Sequence, residues 1–244
     1  MRKVTAVLSG KGGTGKTSVC AGLAIALAQT GEKVLCIDCA VGLRNLDIAL
    51  GMSDVSTLSF LEVCRGEYPV TMAAKHPVYP TLQFLTAPMH CAPEDIDISA
   101  FSAMLEAAKE QFDYVFLDGP AGVGAGFDLT ARFADRILTV TCMDPGAMRD
   151  AYRVGELLEQ IGKRNVRIIV NRVSEKTLKT TKLTIDDVMD KTGLPLLGIV
   201  PEDVNMALAA HAGAPLLKLT TKGAAAACER ISRRMKGYFV PITL

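Results

Sequence analysis

The sequence predicts an α/β fold, a doubly wound and mostly parallel sheet with helices on both faces. Three observations lead there. Short β-rich runs alternate with helical patterns along the whole chain, an order that feeds parallel strands through helical crossovers. The strand-like runs are nearly continuous in apolar residues instead of alternating with polar ones, as strands buried on both sides require. A length of 244 residues with 49% hydrophobic residues supplies one sizeable core, so a single domain is expected over residues 1–244. Aromatics at 5% and the absence of Trp leave that core to Val, Ile, Leu, Ala and Met.

The first strand is read at residues 4–9, where Val4, Ala6, Val7 and Leu8 are apolar. Arg2 and Lys3 ahead of it do not begin a secretion signal, because the apolar run stops at Ser9. Gly10, Lys11, Gly12, Gly13, Thr14, Gly15, Lys16 and Thr17 then spell G-K-G-G-T-G-K-T, the spacing of a P-loop. Glycines there let the backbone approach a polyphosphate and turn its N–H groups toward it. Lys16 is the cation for the β- and γ-phosphates, and the Thr17 hydroxyl is a Mg²⁺ ligand. A helix over residues 17–30, closed by Gly31, adds the free N–H groups and positive dipole end of its first turn, where Ser18 lies. ATP and Mg²⁺ are therefore the expected ligands.

The next strands are read at residues 33–38, 82–86 and 114–118, with a helix at 99–111 before the last of them. In an open sheet of this kind ligands sit outside the carboxyl ends of the strands. Asp38 and Asp118 each end a strand, which places both carboxylates beside the phosphate loop to hold Mg²⁺ through water. A strand at 137–141, a helix at 147–161 before Gly162 and a strand at 166–171 follow. A helix at 184–192 before Gly193, a strand at 196–200 and a helix at 222–236 complete the alternation. There is no internal repeat, low-complexity tract or linker.

A net charge of +1 advertises neither nucleic acid nor an anionic surface as partner. Lys176, Lys179 and Lys182 cluster, yet Asp186 and Asp187 follow closely, and the segment reads as a solvated face; no nucleic-acid partner is expected. Seven cysteines without a framework of even spacings point to reduced thiols and the cytoplasm. Cys36 and Cys39 form one C-x-x-C pair, only half of a zinc set, which reads more simply as two small hydrophobes at a strand end.

Lys11, directly after the first glycine, gives the loop the deviant form K-G-G-x-G-K-[ST]. In this the chain resembles the MinD/ParA family of deviant Walker A ATPases. Gly42, Leu43, Arg44, Asn45, Leu46 and Asp47, G-L-R-N-L-D, look like the switch region of the MinD branch more than that of the ParA branch. D-G-P-A-G-V-G-A-G-F from Asp118 to Phe127 resembles its second switch, with Asp118 as the Walker B aspartate. Met148, Arg149 and Asp150, then V-N-R-V at residues 170–173 and G-I-V-P-E-D at residues 198–203, fall in order at family positions. The resemblance spans nearly the whole chain.

It implies an ATP-dependent switch that forms a homodimer in the ATP state, answers to a regulatory or activating protein, and positions the division site. Lys11 would reach across the dimer to the partner's nucleotide. Asn171 would read adenine, with Arg172, Pro201, Glu202 and Asp203 around the base. Arg44 and Asn45 would sense the γ-phosphate. A DNA-partitioning ATPase of the ParA kind is the alternative, and a carrier of iron-sulfur clusters on Cys36 and Cys39 is a third.

Two departures stand out. The family pattern after the second strand is D-x-D, its second aspartate positioning the attacking water, but here Asp38 and Cys39 lead to Ala40. Lys11, Lys16 and Asp38 thus remain as catalytic residues, with Ala40 at the position of the missing carboxylate. Either the chain binds ATP with little turnover by nature, or the residue was changed to trap the ATP state. At the other end Ile231, Met235, Tyr238 and Phe239 make an i, i+4, i+7, i+8 stripe among Arg230, Arg233, Arg234 and Lys236. Pro241 stops any helix soon after, so the stripe is expected to pack on the domain, leaving at most a weak contact with the inner face of the cell membrane.

Overall fold

The computed structural model describes residues 3–243. Eight strands form one sheet: β1 (Lys3–Ser9), β2 (Val34–Asp38), β3 (Ala74–Lys75), β4 (Leu82–Leu85), β5 (Tyr114–Ala121), β6 (Arg136–Thr141), β7 (Val166–Val173) and β8 (Leu196–Pro201). They lie in the order β3-β4-β2-β5-β1-β6-β7-β8, all parallel except the antiparallel edge pair β3 and β4. The order reverses around β1, so the loop after β1 opens at a crevice of the sheet's carboxyl edge, where such folds bind ligands.

Alternate side chains of the strands enter opposite cores. Val4, Ala6 and Leu8 of β1 with Leu35 and Ile37 of β2 join Phe101, Leu105, Phe127, Val154 and Leu158 on one face. Val7, Val34 and Cys36 meet Leu23, Leu27, Cys228 and Ile231 on the other. The first face is covered by α3 (Phe60–Cys64), α4 (Ile98–Gln111), α5 (Ala125–Phe133), α6 (Pro145–Gln160) and α8 (Ile185–Thr192). The second is covered by α1 (Lys16–Gln29), α2 (Leu46–Leu50), α9 (Val204–His211), α10 (Leu216–Leu219) and α11 (Ala224–Met235). The mostly parallel, doubly covered sheet is the architecture expected from the apolar runs.

Every strand and helix read from the sequence is present, with ends displaced by at most a few residues. The additional elements are short: the two-residue edge strand β3, then α2, α3, α7 (Glu175–Thr181), α9 and α10, and the nine-residue α5. Pieces of this length carry too few residues for a period to show.

The C-terminal stripe is corrected. Ile231 and Met235 are buried on α11, but the helix ends there, and Tyr238 and Phe239 lie beyond it, Phe239 at 94% exposure. The tail is strapped down instead by Arg234, whose guanidinium donates to the carbonyls of Leu197 (3.1 Å), Val240 (2.9 Å) and Pro241 (2.6 Å). The C-x-x-C pair also resolves: Cys36 packs in one core and Cys39 in the other, and burial pushes both thiols up. Two thiols on opposite faces of a sheet serve as small hydrophobes. On α7, Lys179 pairs with Glu175 at 3.2 Å, in keeping with a solvated face.

Candidate functional site

The glycine-rich loop leaves β1 at Ser9 and enters α1 at Lys16, with Gly13 (φ 81°) and Gly15 (φ 84°) in the left-handed region that a side chain disfavours. Gly15 is doubly constrained, since a Cβ there would collide with the Asn171 amide. The loop floors a cleft of about 410 Å³ lined also by Ala40, Val41, Leu43, Asn45, Pro120 and Ala121.

Parallel register brings the two strand-end carboxylates together, because Asp38 of β2 is the direct partner of Asp118 of β5. Asp118, 1% exposed, receives the Lys16 Nζ on Oδ1 (2.5 Å) and the Thr17 hydroxyl on Oδ2 (2.7 Å). Asp38 holds the switch segment: its Oδ1 accepts from the Ala40 N–H (2.9 Å), its Oδ2 from the Asn45 (3.3 Å) and Leu46 (3.2 Å) N–H groups. Burial and the neighbouring Asp118 push the Asp38 carboxyl up to about 6, against the pull of those three N–H groups. Two buried carboxylates thus stand side by side with one buried ammonium, which pairs with Asp118, and a divalent cation would balance the second charge. A buried Thr14 hydroxyl has no hydrogen-bond partner among the described residues. Backbone-rich cradle, lysine, hydroxyl and paired carboxylates are the donor set that a Mg²⁺-bound polyphosphate requires.

The second loop lysine sits elsewhere. Lys11 lies at the surface, its Nζ 3.0 Å from the Asp144 Oδ1, and that carboxylate raises the lysine's pKa through a hydrogen bond and its charge. Asp144 is also the N-cap of α6, accepting from the Ala147 N–H at 3.0 Å. Partial burial pushes its carboxyl up, but Ala147 and Lys11 outweigh it and hold the group below its ordinary range.

On the far side of the loop, Asn171 is buried and donates from Nδ2 to the Thr14 carbonyl at 2.7 Å. Arg172 beside it adopts φ 55°, a strained left-handed geometry for a residue with a side chain. Pro201 pairs with Val173, and the Glu202 N–H donates to the Val173 carbonyl at 2.9 Å, so the loop after β8 is fixed next to Arg172. Asp203 is engaged inside the protein, capping α9 through Asn205 (2.9 Å) and α11 through the Ala224 N–H (2.9 Å). Arg44 reaches Asp47 at 3.2 Å while its Nε is buried without a partner among the described residues.

The structure therefore gathers Lys16, Thr17 and Ala40 in one cleft, with Asp38 and Asp118 buried directly behind them, Asn171 touching the same loop and Lys11 facing outward. Sequence reasoning passed over Asp144 and Cys142, whose Sγ lies 3.7 Å from the Thr14 carbonyl. The signal for Asp144 was available in M-D-P-G, an aspartate ahead of a proline at the start of a helix and just past a strand.

The chain matches the CobQ/CobB/MinD/ParA nucleotide binding domain over residues 5–216. It is 36% identical to the septum site-determining protein MinD of Synechocystis sp., over 99% of this chain and 92% of that protein. Among solved structures it is similar to a chain of the MinC:MinD cell division protein complex of Aquifex aeolicus, with a TM-score of 0.91 and 34% identity over 99% of this chain and 98% of that one. It is also similar to the septum site-determining protein MinD complexed with Mg-ADP from Pyrococcus horikoshii, with a TM-score of 0.83 and 26% identity over 96% of each chain.

Proposed function

The chain belongs to the CobQ/CobB/MinD/ParA nucleotide-binding family, and on that premise we propose that it is an ATPase switch that helps set the cell-division site in the manner of the MinD proteins it resembles. The single observation that carries the reading is the convergence of Lys16, Thr17, Asp38 and Asp118 on one glycine-rich cleft. ATP with Mg²⁺ is the ligand. The whole chain acts as one ATPase domain.

Roles follow from the groups present. Asp118 serves as an internal counter-ion to Lys16 and accepts the Thr17 hydroxyl, contacts that phosphate oxygens and Mg²⁺ would replace. With nucleotide bound, Lys16 would turn to the β- and γ-phosphates, and Thr17, Asp38 and Asp118 would hold Mg²⁺, which would shield phosphate charge. Asp38 also carries the switch segment on its second oxygen, so a change at its carboxylate is felt by Arg44 and Asn45. Asn171 presents its amide toward adenine, with Arg172, Pro201, Glu202 and Asp203 shaping that end of the site.

In the ATP state two copies pair, and Lys11 of each reaches the nucleotide of the other. A regulatory protein reads that dimer, as MinC is found with MinD in the Aquifex complex. None of the described helices is long and apolar enough to cross a membrane, and any peripheral membrane contact of the tail is weak. Ala40 lines the cleft with a methyl group where the family pattern has a carboxylate, which supports the reading that hydrolysis is slow.

Calorimetric titration with Mg²⁺ and ATP tests the assignment. Lys16→Ala removes a charge-assisted contact that contributes about 1.5 to 3 kcal/mol, and a tenfold or larger loss of affinity is expected, on the order of those energies. Unchanged affinity would place the nucleotide elsewhere.

A further inference from the structure

We propose that Arg136, Arg167 and Arg234 form a second anion site, which takes the phosphate group of a soluble small molecule at the edge of the sheet opposite the nucleotide cleft. It does not depend on the ATPase reading above.

Strand alternation brings the first two arginines together. Ile137 of β6 and Ile168 of β7 enter the first core, Leu138 and Ile169 the second. Arg136 and Arg167, each one residue before those isoleucines on neighbouring strands, therefore share the second face with α11. Arg234 comes from the last turn of α11, and Gly198 leaves it room, since a Cβ there would stand 2.9 Å from its Nη1. The three line a pocket of about 520 Å³ between the amino ends of β6, β7 and β8 and the tail, where Tyr238, Phe239 and Ile242 form the other wall.

Positive charge collects there without a counter-ion. Among the described residues no carboxylate pairs with any of the three; Glu32, the acidic group beside Tyr114, is taken by Lys236 at 2.6 Å. Arg136 Nη2 donates to the Met235 carbonyl at 3.1 Å, and Arg234 donates to carbonyls alone. Arg167 is exposed and makes no hydrogen bond among the described residues. Arg136 Nη1 is buried with no acceptor among them, a costly state for a charged donor and one that an anion relieves. Burial pushes the Arg136 guanidinium down and the Arg167 charge adds to that, against the pull of Tyr114.

The chemistry selects phosphate. Guanidinium forks from two strands and a helix suit a tetrahedral oxyanion that accepts several hydrogen bonds at once. The volume lies within the range of small-molecule sites, about 300 to 1,000 Å³, and the apolar wall suits the body of a phosphorylated molecule. Arg234 holds the tail through Val240 and Pro241, so the arginines sit beside a wall of chain, a setting for a molecule that enters the pocket more than for a lipid headgroup.

Calorimetric titration with inorganic phosphate tests the site. Binding should be present in the wild type and in Lys16→Ala, and should weaken about tenfold or more in Arg167→Gln, the loss of roughly one charge-assisted contact. Binding lost in Lys16→Ala would assign the anion to the phosphate loop, and equal binding in Arg167→Gln would remove the arginines; either overturns the proposal. A second readout is local. Phosphate should slow phenylglyoxal modification of Arg167, followed by mass spectrometry, and leave exposed Arg153 of α6 unchanged; no slowing at Arg167, or equal slowing at both, also overturns it. Flotation with vesicles of phosphatidylcholine and phosphatidylglycerol separates the sources of phosphate. Flotation that needs Arg167, with no binding of inorganic phosphate, would move these arginines to a lipid surface and contradict a soluble ligand.

Discussion

Ala40 is the residue on which the proposed slow turnover rests. It lies in the cleft with Lys16 and Thr17, and its N–H is held by Asp38, so its side chain is directed by the same carboxylate that organises the switch. Ala40→Asp restores a group able to orient and deprotonate the attacking water, and single-turnover hydrolysis at saturating ATP should accelerate by roughly 10² to 10⁴. Equal rates in the two proteins would mean that position 40 does not face the water. Asp38 makes a pH-dependent claim. Its folded pKa of about 6 lies above the ordinary carboxylate value, so its neutral form stabilises the fold at low pH, and that contribution is lost as pH rises through 6. In the proposed site Mg²⁺ would compensate the ionised group. The rise in melting temperature caused by Mg²⁺ and ADP should therefore be larger at about pH 7.5 than at about pH 5.5; an equal rise at both would remove Asp38 from the metal site. At this scale the sequence was informative where a residue type is demanded by chemistry, as at Lys16, Thr17, Asp38 and Asp118. M-D-P-G marked Asp144 as a helix cap but not its pairing with Lys11, because an ion pair between residues 133 positions apart depends on the order of strands, which no local spacing reports.

The helices that cover the second face are set by one close approach. Gly22 of α1 lies under Cys228 of α11, and a Cβ at Gly22 would come 2.6 Å from that sulfur. Gly22→Ala should cost about 1 to 3 kcal/mol by urea unfolding, since overpacked cores shift their backbones. Cys228→Ala relieves the collision, so the double variant should be more stable than the sum of the single effects by about 0.5 kcal/mol or more. Strict additivity would show that α1 and α11 adjust freely. The long elements were legible because burial on both faces writes itself as apolar runs and amphipathic helices. The end of α11 was not. Its apolar spacing continues formally to Phe239, yet Gly237 at φ 93° turns the chain away, and the Arg234 bonds to three backbone carbonyls hold the tail in a shape no periodicity encodes.

At the scale of the whole molecule, the sheet places both lysines of the loop on carboxylates of the same chain. Under the proposed function, ATP binding is the signal that a second copy reads. The fold class was legible from the alternation of strands and helices and the phosphate site from eight consecutive residues, Gly10 through Thr17. The proposed partnership of two subunits rests on Lys11. Sedimentation velocity of the chain alone, with Mg²⁺ and ADP, and with Mg²⁺ and ATP is the most direct measurement of that claim. The account predicts a monomer in the first two conditions and a dimer with ATP that persists because Ala40 slows its hydrolysis; one species in all three conditions, whether monomer or dimer, would contradict it.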